Sequence, residues 1–166
     1  YRFAEHPAAP GSPFGASGRR ATVYKLIGGE HDQALKMFDP KFLEPRMVSV
    51  AEKLLPYASK PGLRVCERSV LSGNRQKDLL KTYPDLNYAV MMPWISGKTW
   101  TEIISSRQKI TQKKSLQFVE NLVHVLTTME QEGIAHCDLS GANLIITKDD
   151  KIELVDLEEM YGPGFI

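Results

Sequence analysis

Three oxygen-bearing side chains near the end of the chain, Asp138, Asn143 and Asp156, are spaced so that a simple fold gathers them. Asp138 and Asn143 belong to the polar run Ala135-His-Cys-Asp-Leu-Ser-Gly-Ala-Asn143, and Asp156 follows Val155 at the end of an apolar run. Leu144-Ile-Ile146 and Ile152-Glu-Leu-Val155 flank Lys148-Asp-Asp-Lys151, the pattern of a β-hairpin. Such a hairpin sets Asn143 and Asp156 side by side. An amide oxygen beside a carboxylate suits Mg²⁺, a hard ion that takes few protein oxygens and fills its shell with water and phosphate. A further carboxylate, Asp138, is placed to receive a hydroxyl proton. These are groups that phosphoryl transfer from ATP requires, together with a cation to fix the phosphate chain. Either aspartate alone reads as a plain structural residue; the joint spacing points to chemistry.

Several elements must position these groups. The strongest helical signal covers residues 112–132, with Thr111 as its cap, Gly133 at its stop, and an apolar stripe of Leu116, Val119, Leu122, Val123, Leu126 and Met129. Further back, 21–27 and 33–38 read as strands around Gly28-Gly29, and 46–58 as a helix entered through Pro45. Residues 63–71 and 88–92 read as strands, 74–83 as a short polar helix or excursion, and the Pro- and Gly-rich residues 1–18 as loop. The order predicts an α+β fold in two lobes joined near 93–97, one over 1–92, of which 1–18 is a loop-rich lead-in, and the other over 98–166.

The spacing of the three site residues resembles the protein-kinase superfamily. There a His-Arg-Asp-Leu loop is followed by Asn, and an Asp-Phe-Gly aspartate lies thirteen residues beyond that Asn. Here His136-Cys137-Asp138-Leu139 is followed by Asn143, five residues after Asp138, and by Asp156, thirteen after Asn143. The resemblance implies a bilobal kinase-like fold that uses ATP and Mg²⁺. Asp138 becomes the catalytic base, Asn143 and Asp156 the metal ligands, and Ile145 the residue under the adenine. Ala34-Leu-Lys36 is similar to the family's Val-Ala-Ile-Lys strand, which implies that Lys36 reaches the α- and β-phosphates with Ala34 beside it. Val23 takes the place of the valine after the phosphate-covering loop. In that loop Gly18, and Gly15 if the register is shifted, stand for glycines, while Ala16 and Ala21 replace others. Glu52 is the better partner for Lys36, with Glu44 second. Met91-Met92-Pro93-Trp94 is similar to the segment between lobes, with Met91 guarding the base pocket and backbone groups of Met92 and Trp94 meeting the base edge.

Three departures bear on activity. Cys137 replaces the arginine, Leu157-Glu158 replaces Phe-Gly, and Ser140 replaces the lysine that neutralises the γ-phosphate in conventional members. The resemblance runs from about residue 14 to residue 162 and implies an atypical, bacterial-type Ser/Thr protein kinase acting on protein hydroxyls. A small-molecule kinase of the aminoglycoside or sugar type and a pseudokinase scaffold are the alternatives. The chain reads as part of a longer one, so the helix over 112–132 is expected to need further chain or a partner to cover it, and the piece alone to be marginally stable.

Composition narrows the classes. The 21 Lys and Arg against 20 Asp and Glu leave a net charge of +1, without the basic excess of a nucleic-acid binder. No run of about 18 apolar residues predicts a membrane span. Two distant cysteines predict neither a disulfide scaffold nor a zinc site, and fit a reduced, cytoplasmic setting.

Overall fold

The computed structural model describes residues 1–73, 75–107 and 109–165. The chain forms two compact units, Tyr1–Leu55 with Glu67–Trp94, and Pro56–Cys66 with Ile95–Ile166. Residues 56–66, expected in the N-terminal part, therefore belong to the second unit, and the chain passes between units at three places rather than one.

The first unit is built on an antiparallel sheet of six strands. β1 (Arg2–Phe3), β5 (Ala21–Ile27), β6 (Gln33–Phe38), β8 (Val90–Pro93) and β7 (Ser69–Val70) lie in that order, and β4 (Gly15–Ser17) also pairs with β5. Residues 1–18 are thus largely strand, not loop: β2 (Glu5–His6) and β3 (Ala9–Pro13) form a small hairpin between β1 and β4. Pro7, Pro10 and Pro13 hide this from composition, but Pro is tolerated in exposed edge strands that need no ladder donor. The hairpin leaves and rejoins the sheet opposite one residue. Lys25 N–H donates to the Phe14 carbonyl and the Lys25 carbonyl accepts from Ala4 N–H, both at 2.9 Å.

Residues paired across antiparallel strands share a face, so the register sorts the sheet. One face carries Val23, Ala34, Lys36, Val90 and Met92. At its far end α1 (Arg46–Leu54) packs Met47 and Ala51 against Val70, Val90 and Phe38. The other face carries Tyr24, Leu26, Leu35 and Met91, packed with Ala89, Leu71 and Leu86. The helix expected over 46–58 ends at Leu54 and tightens into a 3-10 turn, Leu55–Tyr57. The strand expected over 63–71 shrinks to Ser69–Val70, preceded by a 3-10 turn at Arg64–Cys66. Of the excursion expected over 74–83, Asn74 lies outside the described residues, and α2 covers Lys77–Thr82.

The second unit combines a three-stranded sheet with helices. β10 (Leu144–Thr147) pairs with β11 (Ile152–Leu154), as the hairpin pattern predicts, and also with β9 (Gly97–Thr99). α3 (Trp100–Ser105) starts from a capping box, Thr99 accepting from Glu102 N–H while the Glu102 carboxylate accepts from Thr99 N–H. α4 (Gln112–Gln131) is capped by Thr111. Its packing differs from the expected stripe. Phe118, Val125 and Met129 are buried, whereas Leu116, Val119 and Val123 are more than half exposed. At 100° per residue the first three lie on one side of the helix and the others about 120° away, so α4 has two apolar faces and the unit covers one. Segment 56–66 lies on the covered side. Gly62, at φ +74°, approaches so closely that a Cβ there would sit 2.5 Å from Val125 Cγ2, and its carbonyl accepts from Leu154 N–H at 2.8 Å. Lys60 pairs with Glu132 on the same side. Among the described residues no helix is long and apolar enough to cross a membrane.

Candidate active site

The second unit brings the predicted loop residues together. Asn143 Nδ2 donates to the Asp138 carbonyl at 2.9 Å and to Asp138 Oδ2 at 3.2 Å. The Asn143 carbonyl accepts from Val155 N–H at 2.9 Å, which holds the residue before Asp156 against the loop. His136 is 4% exposed and completes the brace. Its Nε2 lies 2.9 Å from the Val155 carbonyl, and its Nδ1 is 3.3 Å from Asp138 N–H. Since Nδ1 accepts from an N–H, Nε2 carries the proton and donates. The segment after Asp156 folds back through reciprocal bonds between Ala135 and Tyr161 at 2.8 and 2.9 Å. On the other flank Thr101 N–H donates to the Gly141 carbonyl at 3.0 Å, and any Cβ at Gly141 would meet Thr101 Oγ1.

Two residues of this loop system hold unusual backbone. Cys137 has φ +62° and Asp156 φ +65°, the left-handed region that costs a non-glycine residue about 1 kcal/mol or more. The bonds of His136 and Asn143 on either side hold both in place. Asn143 Nδ2 is thereby committed to Asp138, and an amide oxygen and a carboxylate are the hard donors that Mg²⁺ prefers. Among the described residues no group of three or more His, Cys, Asp or Glu gathers as a richer metal cluster. Ile145 is half-buried on the sheet face that also carries Thr99 and Glu153. Burial pushes the Glu153 carboxyl up, opposed by the neighbouring Arg64 guanidinium, whose Nε lies 3.4 Å away.

The first unit sets Lys36 in a row with buried Ala34 and Met92 and half-buried Val23. The Lys36 ammonium is 5.2 Å from the Phe38 ring centroid. Several expectations need correction here. Glu52 is 60% exposed and its carboxylate lies 3.3 Å from Arg75, on the side of α1 away from the Met47 and Ala51 face. Glu44 pairs with Arg46. Neither is aimed at Lys36. Met91 faces the opposite side of the sheet, paired with Leu35, so Met92, paired with Ala34, is the methionine beside Lys36's row. Trp94 N–H donates to the Asp32 carbonyl at 3.1 Å, which removes it as a donor to a base. Gly15 pairs with Tyr24, and a Cβ there would sit 2.8 Å from that ring, so close packing on the face away from Lys36 accounts for this glycine. Gly18 N–H donates to the Ala21 carbonyl at 2.8 Å and closes the β4–β5 hairpin.

Phe14 was missed. Its ring lies 5.8 Å from Trp94, and the Lys25 ammonium, paired with Asp32 at 2.7 Å, is 5.6 Å from the Trp94 ring. Phe14 therefore sits at the end of Lys36's face, a placement only the pairing with Lys25 reveals.

Comparison with known proteins points the same way. No family model matches the chain. It is 26% identical over 153 residues to a serine/threonine-protein kinase of Dictyostelium discoideum, covering 86% of this chain and 23% of that protein. It is 29% identical over 72 residues to a probable serine/threonine-protein kinase of Clostridium acetobutylicum, covering 43% and 11%. With the serine/threonine-protein kinase PknB of Mycolicibacterium smegmatis the figures are 24% over 67 residues, 40% and 11%. The chain thus spans a quarter or less of these relatives. It has a protein-kinase-like relationship in sequence over partial stretches, and its fold is mixed helix and sheet.

Proposed function

We propose that this chain carries the ATP- and Mg²⁺-dependent core of a kinase-like phosphotransferase acting on Ser/Thr hydroxyls of proteins. The observation that carries the reading is the contact of Asn143 with Asp138, braced by His136 onto the strand end that precedes Asp156. Asp138 and Asn143 are in contact, and Cys137 and Asp156 hold left-handed backbone in the same loop system. In this reading Asp138 accepts the proton of the attacking hydroxyl, and Asn143 orients that carboxylate through Nδ2. Asn143 Oδ1 and the Asp156 carboxylate hold the metal, which when bound shields phosphate charge. Lys36 fixes the α- and β-phosphates, Ala34, Val23 and Met92 line the base, and Ile145 contacts its other side. Two cysteines outside any disulfide, Cys66 buried and Cys137 exposed, suit the reducing cytoplasm as the place of action.

A nucleotide-binding scaffold without transfer is the second reading, favoured by Ser140 in place of lysine and by Ala16 and Ala21 in place of glycines. Calorimetric titration with ATP, with and without Mg²⁺, tests the first step. Mg²⁺-dependent binding that Lys36→Met and Asp156→Ala each weaken tenfold or more is expected, by the loss of charge-assisted contacts. Absence of binding by the folded chain refutes both readings. Phosphate transfer to protein acceptors, abolished by Asp138→Asn, separates the enzyme from the scaffold.

A further inference from the structure

Asn143 stands midway between two fixed points. Two residues before it, the Gly141 carbonyl accepts from Thr101 N–H at 3.0 Å. Two residues after it, Ile145 pairs with Thr99 across β9 and β10. One short stretch of chain, 97–101, therefore holds both sides of Asn143. That stretch is itself pinned. Gly97 leaves no room for a Cβ against the Ile146 carbonyl, Thr99 begins α3 through its capping box, and the Trp100 ring packs edge-on against buried Phe118 of α4 at 5.9 Å. All of these residues belong to the second unit.

The contact at Gly141 is closer than its hydrogen bond requires. A Cβ built there would stand 2.9 Å from Thr101 Oγ1 and 3.2 Å from Trp100 Cδ1. Gly141 does not have a positive φ, so close approach and not backbone freedom is what asks for glycine. Thr101 is β-branched and sits on a helix, where such a side chain has little freedom to turn aside. The loop thus rests on the Thr101 side chain as well as on its N–H. From Gly141 the position passes directly to Asn143, whose N–H donates to the Ser140 carbonyl at 3.1 Å and whose Nδ2 reaches Asp138 Oδ2 at 3.2 Å. That last bond is already at the long end of the normal range, so a small rise of the loop breaks it.

We infer that Thr101 is a positioning residue of this site. Its side chain occupies the space that a Cβ at position 141 would need, and by setting the height of the loop it sets the reach of Asn143 to Asp138. The functional consequence rests on the phosphotransferase reading, in which Asn143 also holds the metal; the geometry does not.

The side-chain amide resonance of Asn143, read by proton–nitrogen NMR on the nucleotide-free 166-residue chain, tests the geometry. Gly141→Ala is expected to displace it. Adding Thr101→Ala is expected to return it most of the way, since only Trp100 Cδ1, at 3.2 Å, then has to yield. Gly73→Ala, where a Cβ meets nothing within 4 Å, is the control and leaves it in place. In calorimetry Gly141→Ala is expected to weaken ATP·Mg²⁺ about tenfold, the worth of one charge-assisted contact, and ATP without Mg²⁺ less than about twofold. The double variant recovers to within about threefold of wild type. An unmoved resonance in Gly141→Ala, or a displacement that Thr101→Ala does not relieve, overturns the inference. So does a displaced resonance with unchanged ATP·Mg²⁺ affinity in a chain that binds ATP. A wild-type chain that binds no ATP overturns the phosphotransferase reading, and the resonance then decides the geometry by itself. Should Gly141→Ala fail to fold, a double variant that folds with the wild-type resonance supports the inference, and one that also fails overturns it.

Discussion

The buried imidazole of His136 offers the sharpest test of how the loop is held. His136→Phe keeps most of the ring volume and removes both hydrogen bonds. The bond to the Val155 carbonyl, at 2.9 Å from a ring that is 4% exposed, is of full strength. Leaving that carbonyl without its donor costs about 1–3 kcal/mol. The Asp138 N–H bond is longer, 3.3 Å, and belongs to an exposed residue that water can reach, so it adds about 0.5 kcal/mol at the low end of the usual range. The sum is about 1.5–3.5 kcal/mol, a large share of a domain's total of about 5–15 kcal/mol. For a chain of this size it lowers the thermal midpoint by about 3–14 °C. Urea unfolding followed by circular dichroism measures it directly. Below the unfolding transition the folded variant is expected to lose Mg²⁺-dependent ATP binding as well, because Asp138 and the residue before Asp156 are both released. A His136→Phe variant within about 0.5 kcal/mol of wild type would show that the ring acts by packing alone and would refute the brace, since stability changes of that size are ordinary for surface positions.

The adjacent methionines give a second test, in which Met91→Ala costs about 2 kcal/mol of stability through its packing with Leu35 yet shifts ATP affinity less than about twofold. Met92→Ala changes ATP affinity more than Met91→Ala does, and the reverse order in calorimetry would refute the register argument. A third concerns acid. Burial raises the Glu153 carboxyl above its ordinary 4.5 in the folded chain, so the folded state binds this proton more tightly than the unfolded one. That contribution is fully present below about pH 4.5 and is lost as pH rises through the raised folded value. Glu153→Gln removes this dependence, and denaturation from pH 4 to 7 is expected to show a smaller loss, or a larger gain, of stability with rising pH than in wild type; identical pH profiles would refute it.

The loop system was legible because its information is local. The short spacing from Asp138 to Asn143 and the hairpin after it bring Asn143 to Asp138 and to Val155 without knowledge of the rest of the chain. What the sequence hid is parity. Met91 and Met92 are the same residue type in adjacent positions, and a one-residue step in a strand changes the face, so only the pairing with Leu35 and Ala34 decides which one stands beside Lys36. The same applies to α4, whose apolar residues at helical spacing form two faces that periodicity merges into one stripe. Glu52 was placed by its distance from Lys36 along the chain, but the buried side of α1 is set by Met47, Val50, Ala51 and Leu54. His136, the brace of the site, carried a signal in its place two residues before Asp138, yet its role became visible only through Val155. The N-terminal strands were hidden by prolines that an edge position tolerates.

The excursion between β1 and β4 makes the outermost lane of the first sheet a splice of two separate pieces. Ala4 and Phe14 meet through a bond of 2.7 Å, Phe14 N–H donating to the Ala4 carbonyl, where the excursion departs and returns. The sheet registers none of the nine residues between them. That junction is a natural port: sequence can be lengthened, shortened or exchanged there while the neighbouring rungs keep their register. The lane's inner piece, Gly15–Ser17, keeps its own rungs to β5 whatever the length of the excursion.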